Sequence, residues 1–156
     1  PIFTHTYTHT HTHTHKHDCW IIDGISRYER RLRAPFKLEW QFVPYSSFSG
    51  DRARRDESTE LLKRIAPQDY VILLDETGKN IDSPSLSHKL EQLTIQNQIV
   101  FIIGGAYGVD ERIKQRANFI WSLSGLVFPH MLVRLILIEQ IYRAQEISKG
   151  GPYHHQ

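Results

Sequence analysis

The sequence predicts an α/β protein in which short buried strands alternate with helices, and two observations predict it. Val71–Leu74 and Val100–Ile103 are continuous apolar runs of the kind buried on both faces of a parallel sheet. Segments with helical spacing separate and follow them, most plainly His130–Ser148, whose apolar residues cover well over half a helix circumference before Gly150-Gly151-Pro152 ends it.

Residues 1–15, PIFTHTYTHTHTHTH, are low in complexity and stand apart from a single domain over 16–156. In an extended chain the period of two places His5, Tyr7, His9, His11, His13 and His15 on one face and the threonines on the other. Thr suits a strand, but a buried row of imidazoles needs many hydrogen-bond partners. A translated CA dinucleotide repeat gives the same alternation, and with Pro rather than Met as first residue the native start is expected to lie elsewhere. His-x-His spacing can chelate zinc, copper or nickel, yet no upstream carboxylate or cysteine completes a shell, so no structural metal is expected.

Phe36–Pro44 alternates apolar and polar residues as a half-buried strand does. Tyr45–Asp51 is a Ser/Gly loop, and Asp51–Ile65 a charged helix with Leu61, Leu62 and Ile65 inward; its arginines are offset by Asp56, Glu57 and Glu60, which marks a solvated face. The strand Val71–Leu74 runs into a loop over residues 75–80, a position where open α/β sheets receive ligands. Ser83 as cap and Pro84 in the first turn open a helix that continues to about Gln96.

Val100–Ile103 stops at Gly104-Gly105, where backbone must approach either a ligand or a following helix closely. Gly105 and Gly108 match the last two glycines of a dinucleotide fingerprint, but Ile103 occupies the place of the first, which disfavours a nucleotide-dependent oxidoreductase. Val109–Ala117 is helical in spacing, and Ser122–Phe128 reads as another strand closed by Pro129. A final helix so apolar requires cover on more than one side, which a second copy of the chain provides.

At 156 residues there is room for one domain with a real core, and 40% hydrophobic residues fit a globular chain. A formal charge of +2 is far below that of a protein held to RNA by phosphate contacts alone. The one cysteine, Cys19, allows neither an intramolecular disulfide nor a cysteine-based zinc site. No apolar run approaches the roughly 18 residues of a membrane span and no secretory signal opens the chain, so a soluble protein without a membrane partner is expected, cytoplasmic or, in a eukaryote, organellar.

The Leu74-Asp75 strand end, IIGGAYG, SLSGLVFPHMLVRLILIEQIYRA and the terminal PYHH together resemble the RlmH family over about residues 16–156. These are SPOUT-superfamily methyltransferases that modify the N3 position of a pseudouridine in large-subunit ribosomal RNA. The resemblance implies an open, mostly parallel sheet flanked by helices, with a C-terminal trefoil knot that binds S-adenosylmethionine. It further implies a homodimer with the cofactor pocket at the subunit interface, acting on ribosomal RNA or the assembled ribosome. It makes Asp18–Arg33 the first helix, whose Arg30, Arg31 and Arg33 either end a solvated helix or touch RNA phosphates. It also implies an apolar first strand where this chain has residues 1–15; that departure leaves open a cofactor- or RNA-binding protein without activity.

Carried over position by position, the cofactor site comprises Leu74, Gly104, Gly105, Ser124, Gly125, Leu126, Val127, Phe128 and Pro129. The pseudouridine imide nitrogen is nucleophilic only as its proton leaves, so a base or an anion stabiliser is required. Tyr153 and His154 on the glycine-hinged tail, Arg143, and His130 are the catalytic candidates, with Arg134 beside them. Arg143 also has Glu139 four residues before it as an ion-pair partner, and His130 is placed to hydrogen-bond near the helix start. Arg134 and Arg143 lie about two and a half turns apart and so project from opposite sides of one helix.

Overall fold

Strands and helices follow one another in strict alternation along the chain. The computed structural model describes residues 2–8, 19–105 and 107–155. Its elements are β1 (Ile2–Thr8), α1 (Cys19–Glu29), β2 (Leu38–Pro44), α2 (Gly50–Lys63), β3 (Tyr70–Lys79), α3 (Ser83–Gln96), β4 (Ile99–Ile103), α4 (Glu111–Arg116), β5 (Phe119–Trp121) and α5 (His130–Lys149). The strands form one sheet in the order β2-β1-β4-β3-β5, with every neighbouring pair parallel. All strand C-termini therefore point to one edge of the sheet.

The His/Thr-rich segment supplies β1, which pairs along its length with β2 and through Ile2–Thr6 with β4. The expectations for His9, His11, His13 and His15 fall outside the described residues. Among the described residues no group of three or more His, Cys, Asp or Glu side chains is placed to hold a metal. No described helix is long and apolar enough to cross a membrane.

β4 shows why a parallel strand reads as an unbroken apolar run, because all five of its residues are buried. Ile99, Phe101 and Ile103 face a core built with Ile21 and Ile25 of α1, Leu86 and Leu90 of α3, and Leu137, Ile138 and Ile141 of α5. Val100 and Ile102 face the opposite core with Leu61 of α2 and Ile113 of α4. Each fully buried side chain of this size contributes about 1.5–3 kcal/mol by leaving water, so β4 anchors both layers.

Three sequence expectations are corrected. Ser122–Phe128 is not a strand: β5 ends at Trp121, and 122–129 is a loop. The hydroxyl of Ser122 donates to the Ser124 carbonyl and Ser124 Oγ accepts from the Leu126 N–H, both at 3.0 Å, so side chains take the place of a ladder. Leu126 and Val127, 70% and 83% exposed, are not core.

Residues 75–79 are not a loop, because β3 continues to Lys79. Trp121 pairs with both Leu74 and Lys79, so residues 75–78 are an irregularity in a longer strand. Gly78 permits it: a Cβ there would lie 2.4 Å from the Ile120 carbonyl oxygen.

The cap of α3 is Asp82 rather than Ser83, its carboxylate accepting from the Ser85 N–H at 2.8 Å. Ser83 is the first helical residue, and its hydroxyl donates to Gln140 Oε1 on α5 at 2.8 Å. Helix α5 runs a residue beyond its predicted end, to Lys149, and stops at Gly150, which is left-handed with φ 72° and ψ 22°.

Candidate functional site

Two groups of side chains gather on α5, one at each end, and between them they take in the cofactor and catalytic candidates read from the sequence. The first lies at the C-terminal edge of the sheet. The register Leu74↔Ile103 and Leu74↔Trp121 sets the ends of β3, β4 and β5 side by side. Gly104 and Gly105 leave this edge at once, and the chain folds back on itself through an antiparallel bridge between Gly105 and Gly108. Gly108 has φ +72°, a left-handed conformation that glycine adopts without strain. A Cβ on Gly104 would meet Val109 Cγ1 at 3.4 Å and Gly108 backbone at 3.5 Å, so this turn is packed tightly from behind.

The loop 122–129 crosses the same edge. Its first residue is fixed to β3, the Ser122 N–H donating to the Lys79 carbonyl at 3.0 Å and its own carbonyl accepting from Asn80 Nδ2 at 2.7 Å. Gly125 faces open space, and Leu126 and Val127 project into solvent.

His130, the first residue of α5, joins the two loops. Its Nδ1 donates to the Gly104 carbonyl at 3.1 Å, and its Nε2 accepts from Arg134 Nη2 at 2.9 Å. Since the carbonyl can only accept and the guanidinium only donate, these contacts select the neutral Nδ1–H tautomer. Arg134 is 7% exposed and reaches toward β2, its guanidinium 5.2 Å from the Phe42 ring centroid. Burial pushes its pKa down to about 10 against the favourable influence of Tyr45, which leaves it charged at neutral pH.

The second group lies about 20 Å further along the helix axis, at 1.5 Å per residue. Glu139 Oε1 accepts from Arg143 Nη2 at 2.6 Å, forming the (i, i+4) pair that the spacing anticipates, and from the Tyr153 hydroxyl at 3.2 Å. Arg143 Nη1 donates to His154 Nδ1 at 3.2 Å and its guanidinium lies 4.8 Å from the Tyr153 ring centroid. Tyr153 packs edge-on against Tyr142 at 4.8 Å, and its hydroxyl meets that of Tyr28 at 3.2 Å. Burial first, then the Tyr28 hydrogen bond and the Glu139 charge, raise the Tyr153 pKa well above the usual phenol range. Tyr153 is therefore a neutral phenol at physiological pH, able to stack and donate but not to act as a base.

Arg143, Tyr153 and His154 are thus brought together, whereas His130 sits with Gly104 at the other end of α5. An open cavity of about 580 Å³ is lined by Trp121, Phe128, Ile136 and Gln140 together with Ser83 and His154. Leu74, Gly104 and Gly105 lie outside its lining. Trp121, Gln140, Ser83 and Tyr28 escaped the sequence reading. Trp121 falls between the predicted helix 109–117 and the predicted strand 122–128, Ser83 reads only as a cap, and the hydrogen bonds of Ser83, Gln140 and Tyr28 cross between elements, where no spacing signals them.

A family model described as "Predicted SPOUT methyltransferase" matches residues 9–154. The chain is 43% identical over 143 residues to the ribosomal RNA large subunit methyltransferase H of Desulfitobacterium hafniense, an alignment covering 86% of this chain and 89% of the relative. The protein of the same name from Dictyoglomus thermophilum is 43% identical over 135 residues, covering 85% and 88%. That of Bacteroides thetaiotaomicron is 38% identical over 141 residues, covering 86% and 90%.

Proposed function

The chain belongs to the SPOUT methyltransferase family, and from that premise we propose that it methylates N3 of a pseudouridine in large-subunit ribosomal RNA with S-adenosylmethionine as donor. The relatives named above as ribosomal RNA large subunit methyltransferases support the substrate class. The observation that carries the reading is the meeting of Leu74, Gly104 and the loop 122–129 at one sheet edge, locked by His130.

The residues present fit the cofactor. Gly104 and Gly105 bring backbone without side chains to the strand ends, Ser124–Pro129 offer backbone outside any ladder, and Leu74 and Phe128 supply apolar walls, which Leu126 joins once a second copy covers it. When bound, S-adenosylmethionine supplies a methyl group already made electrophilic by its sulfonium, so the enzyme's task is chiefly alignment. His130 serves as a positioning residue that fixes the Gly104 carbonyl relative to α5.

The chain's other task is to hold the acceptor as its imide proton departs. Arg143 stabilises the resulting anion. His154 Nδ1 is occupied by Arg143 in this arrangement, so its release from that contact is what makes the imidazole available to take the proton. Tyr153 stacks on the base as a neutral ring. The Gly150-Gly151 hinge lets this tail close once cofactor is in place.

A homodimer and a C-terminal trefoil knot belong to the same reading. Met131, Leu132, Val133, Leu135 and Ile136 of α5 are only partly buried, and Leu126 and Val127 are exposed beside them. A second copy covers this surface and lets one chain's tail serve the other's cofactor loop. Residues 16–156 act as the single catalytic domain, with residues 1–15 a low-complexity segment that joins its sheet through β1. A ribosomal substrate places the enzyme in the cytoplasm, or in an organelle of a eukaryote.

The test is incubation with labelled S-adenosylmethionine and ribosomes lacking the modification, followed by mapping of the labelled nucleotide. Label at N3 of one pseudouridine is expected. Calorimetry showing that neither S-adenosylmethionine nor S-adenosylhomocysteine binds the folded protein overturns the reading. Deleting residues 152–156 should abolish turnover while leaving cofactor affinity nearly intact, since Tyr153 and His154 bond to Tyr28, Glu139 and Arg143 rather than to the loop 122–129.

A further inference from the structure

The turn after α1 carries a cluster of cations that the site above does not use. Arg27, Arg30, Arg31, Arg33 and Lys37 are all exposed. Glu29 is the one acid among residues 27–37, and its carboxylate takes the Trp40 indole N–H. Five cations against one carboxylate give this stretch +4, against +2 for the whole chain, so the remainder is net acidic.

Several cations elsewhere are compensated: Arg54 pairs with Asp51, Lys63 and Arg64 share Glu60, and Arg112 pairs with Asp110. Among the described residues none of the five forms an ion pair with a carboxylate.

The turn is also held rigidly. Gln145 of α5 is 1% exposed; its Oε1 accepts from the Arg33 N–H at 2.6 Å and its Nε2 donates to the Arg31 carbonyl at 3.0 Å. Leu32 and Phe36, 2% and 4% exposed, sink into the core between the cations. A merely solvated helix end needs no buried amide to fix its backbone. A backbone already fixed spends less conformational entropy on meeting a partner than a mobile one. The turn is also one ring away from the tail group, with the Arg31 guanidinium 5.8 Å from the Tyr142 ring centroid and Tyr142 packed between Tyr28 and Tyr153.

We infer that Arg30, Arg33 and Lys37, on a turn whose backbone Gln145 holds at Arg31 and Arg33, seat the sugar-phosphate backbone of the substrate RNA beside the C-terminal tail. The inference rests on the ribosomal RNA reading above and adds the surface that holds that RNA. Phosphate contacts position a nucleic acid without reading its sequence, which suits an enzyme whose target base is presented to a separate cluster.

The experiment compares the wild-type protein with R30Q/R33Q/K37Q, with R30Q/K37Q, which leaves the Arg33 hydrogen bonds intact, and with R52Q/R55Q on α2 as a charge control. Melting curves, cofactor affinity, and methylation kinetics on ribosomes lacking the modification are measured over a range of salt. The triple variant should keep its fold, and its cofactor affinity and kcat should stay within about twofold; its KM should rise about tenfold or more, and log(kcat/KM) against log[salt] should become shallower by about two. The double variant should show a proportionate part of this, and the control none.

An unchanged KM and salt slope in both turn variants overturns the inference, as does an equal response in the control. Should the wild type transfer no methyl group, the functional reading fails by itself. The same variants are then compared in equilibrium binding to large-subunit ribosomal RNA, where undiminished binding, or no binding by the wild type, overturns the surface.

Discussion

His130 Nδ1 donates to the carbonyl of Gly104 across 3.1 Å, so the residue that starts the last helix holds the turn that leaves the central strand. Removing that imidazole frees the glycine turn and strips Arg134 of an acceptor. His130→Ala should therefore weaken S-adenosylmethionine binding by about tenfold, as loss of one such hydrogen bond implies. His130→Asn, whose amide can reach the same carbonyl, should recover part of it. Calorimetric titration decides the matter, and equal affinity in all three proteins sinks the positioning role.

Arg143 meets Glu139, His154 and Tyr153 at once. If it stabilises the acceptor anion, Arg143→Ala should lower kcat by about a hundredfold or more with little change in cofactor affinity. Arg143→Lys keeps the charge but not the fork of donors and should fall between the two. A loss seen only in KM would reassign the residue to substrate binding.

The raised pKa of Tyr153 has a consequence for stability at alkaline pH. Below the unfolded phenol value of about 10 both states hold the proton and stability does not depend on it. Above that value the unfolded chain releases a proton that the folded protein retains, so stability falls as pH rises. Urea midpoints measured from pH 8 to 11 should decline, and Tyr153→Phe should decline less steeply. Parallel curves would mean that the phenol is not held in this way.

Gly78 and Gly125 should respond oppositely to alanine. A Cβ at position 78 collides with Ile120 backbone at 2.4 Å, whereas one at 125 meets nothing within 4 Å. Gly78→Ala should destabilise by about 1–3 kcal/mol or more, as forced overpacking does, and Gly125→Ala should leave the urea midpoint within error. If Gly125 lies against bound cofactor, its alanine variant should nonetheless bind S-adenosylmethionine less tightly.

Much of the fold was legible because buried parallel strands announce themselves. Val71–Leu74 and Val100–Ile103 lie inside β3 and β4, and the glycine stop puts the end of α5 within one residue of where it lies. The loop 122–129 was misread because Leu126-Val127-Phe128 has the composition of a strand, while the two serine hydroxyls that reorganise its backbone leave no periodic trace. The continuation of β3 past Asp75 was hidden for a related reason: Asp75, Thr77 and Gly78 are turn residues, and only pairing with β5 draws them into the sheet.

The candidate site divided in the same way. Arg143 and Glu139 were readable from helical spacing, whereas the partnership of Tyr28 with Tyr153 spans 125 residues and no local pattern records it.

The position of β1 between β2 and β4 bears on how the molecule is made. Its two neighbours end at Pro44 and Ile103, so a strand near the start of the chain stays without its second partner until two-thirds of the polypeptide exists. Contacts so distant in sequence slow the search for the native state. Assembly of the sheet is therefore set by the arrival of β4, and a chain interrupted before residue 99 is left with an open edge ready to recruit another strand.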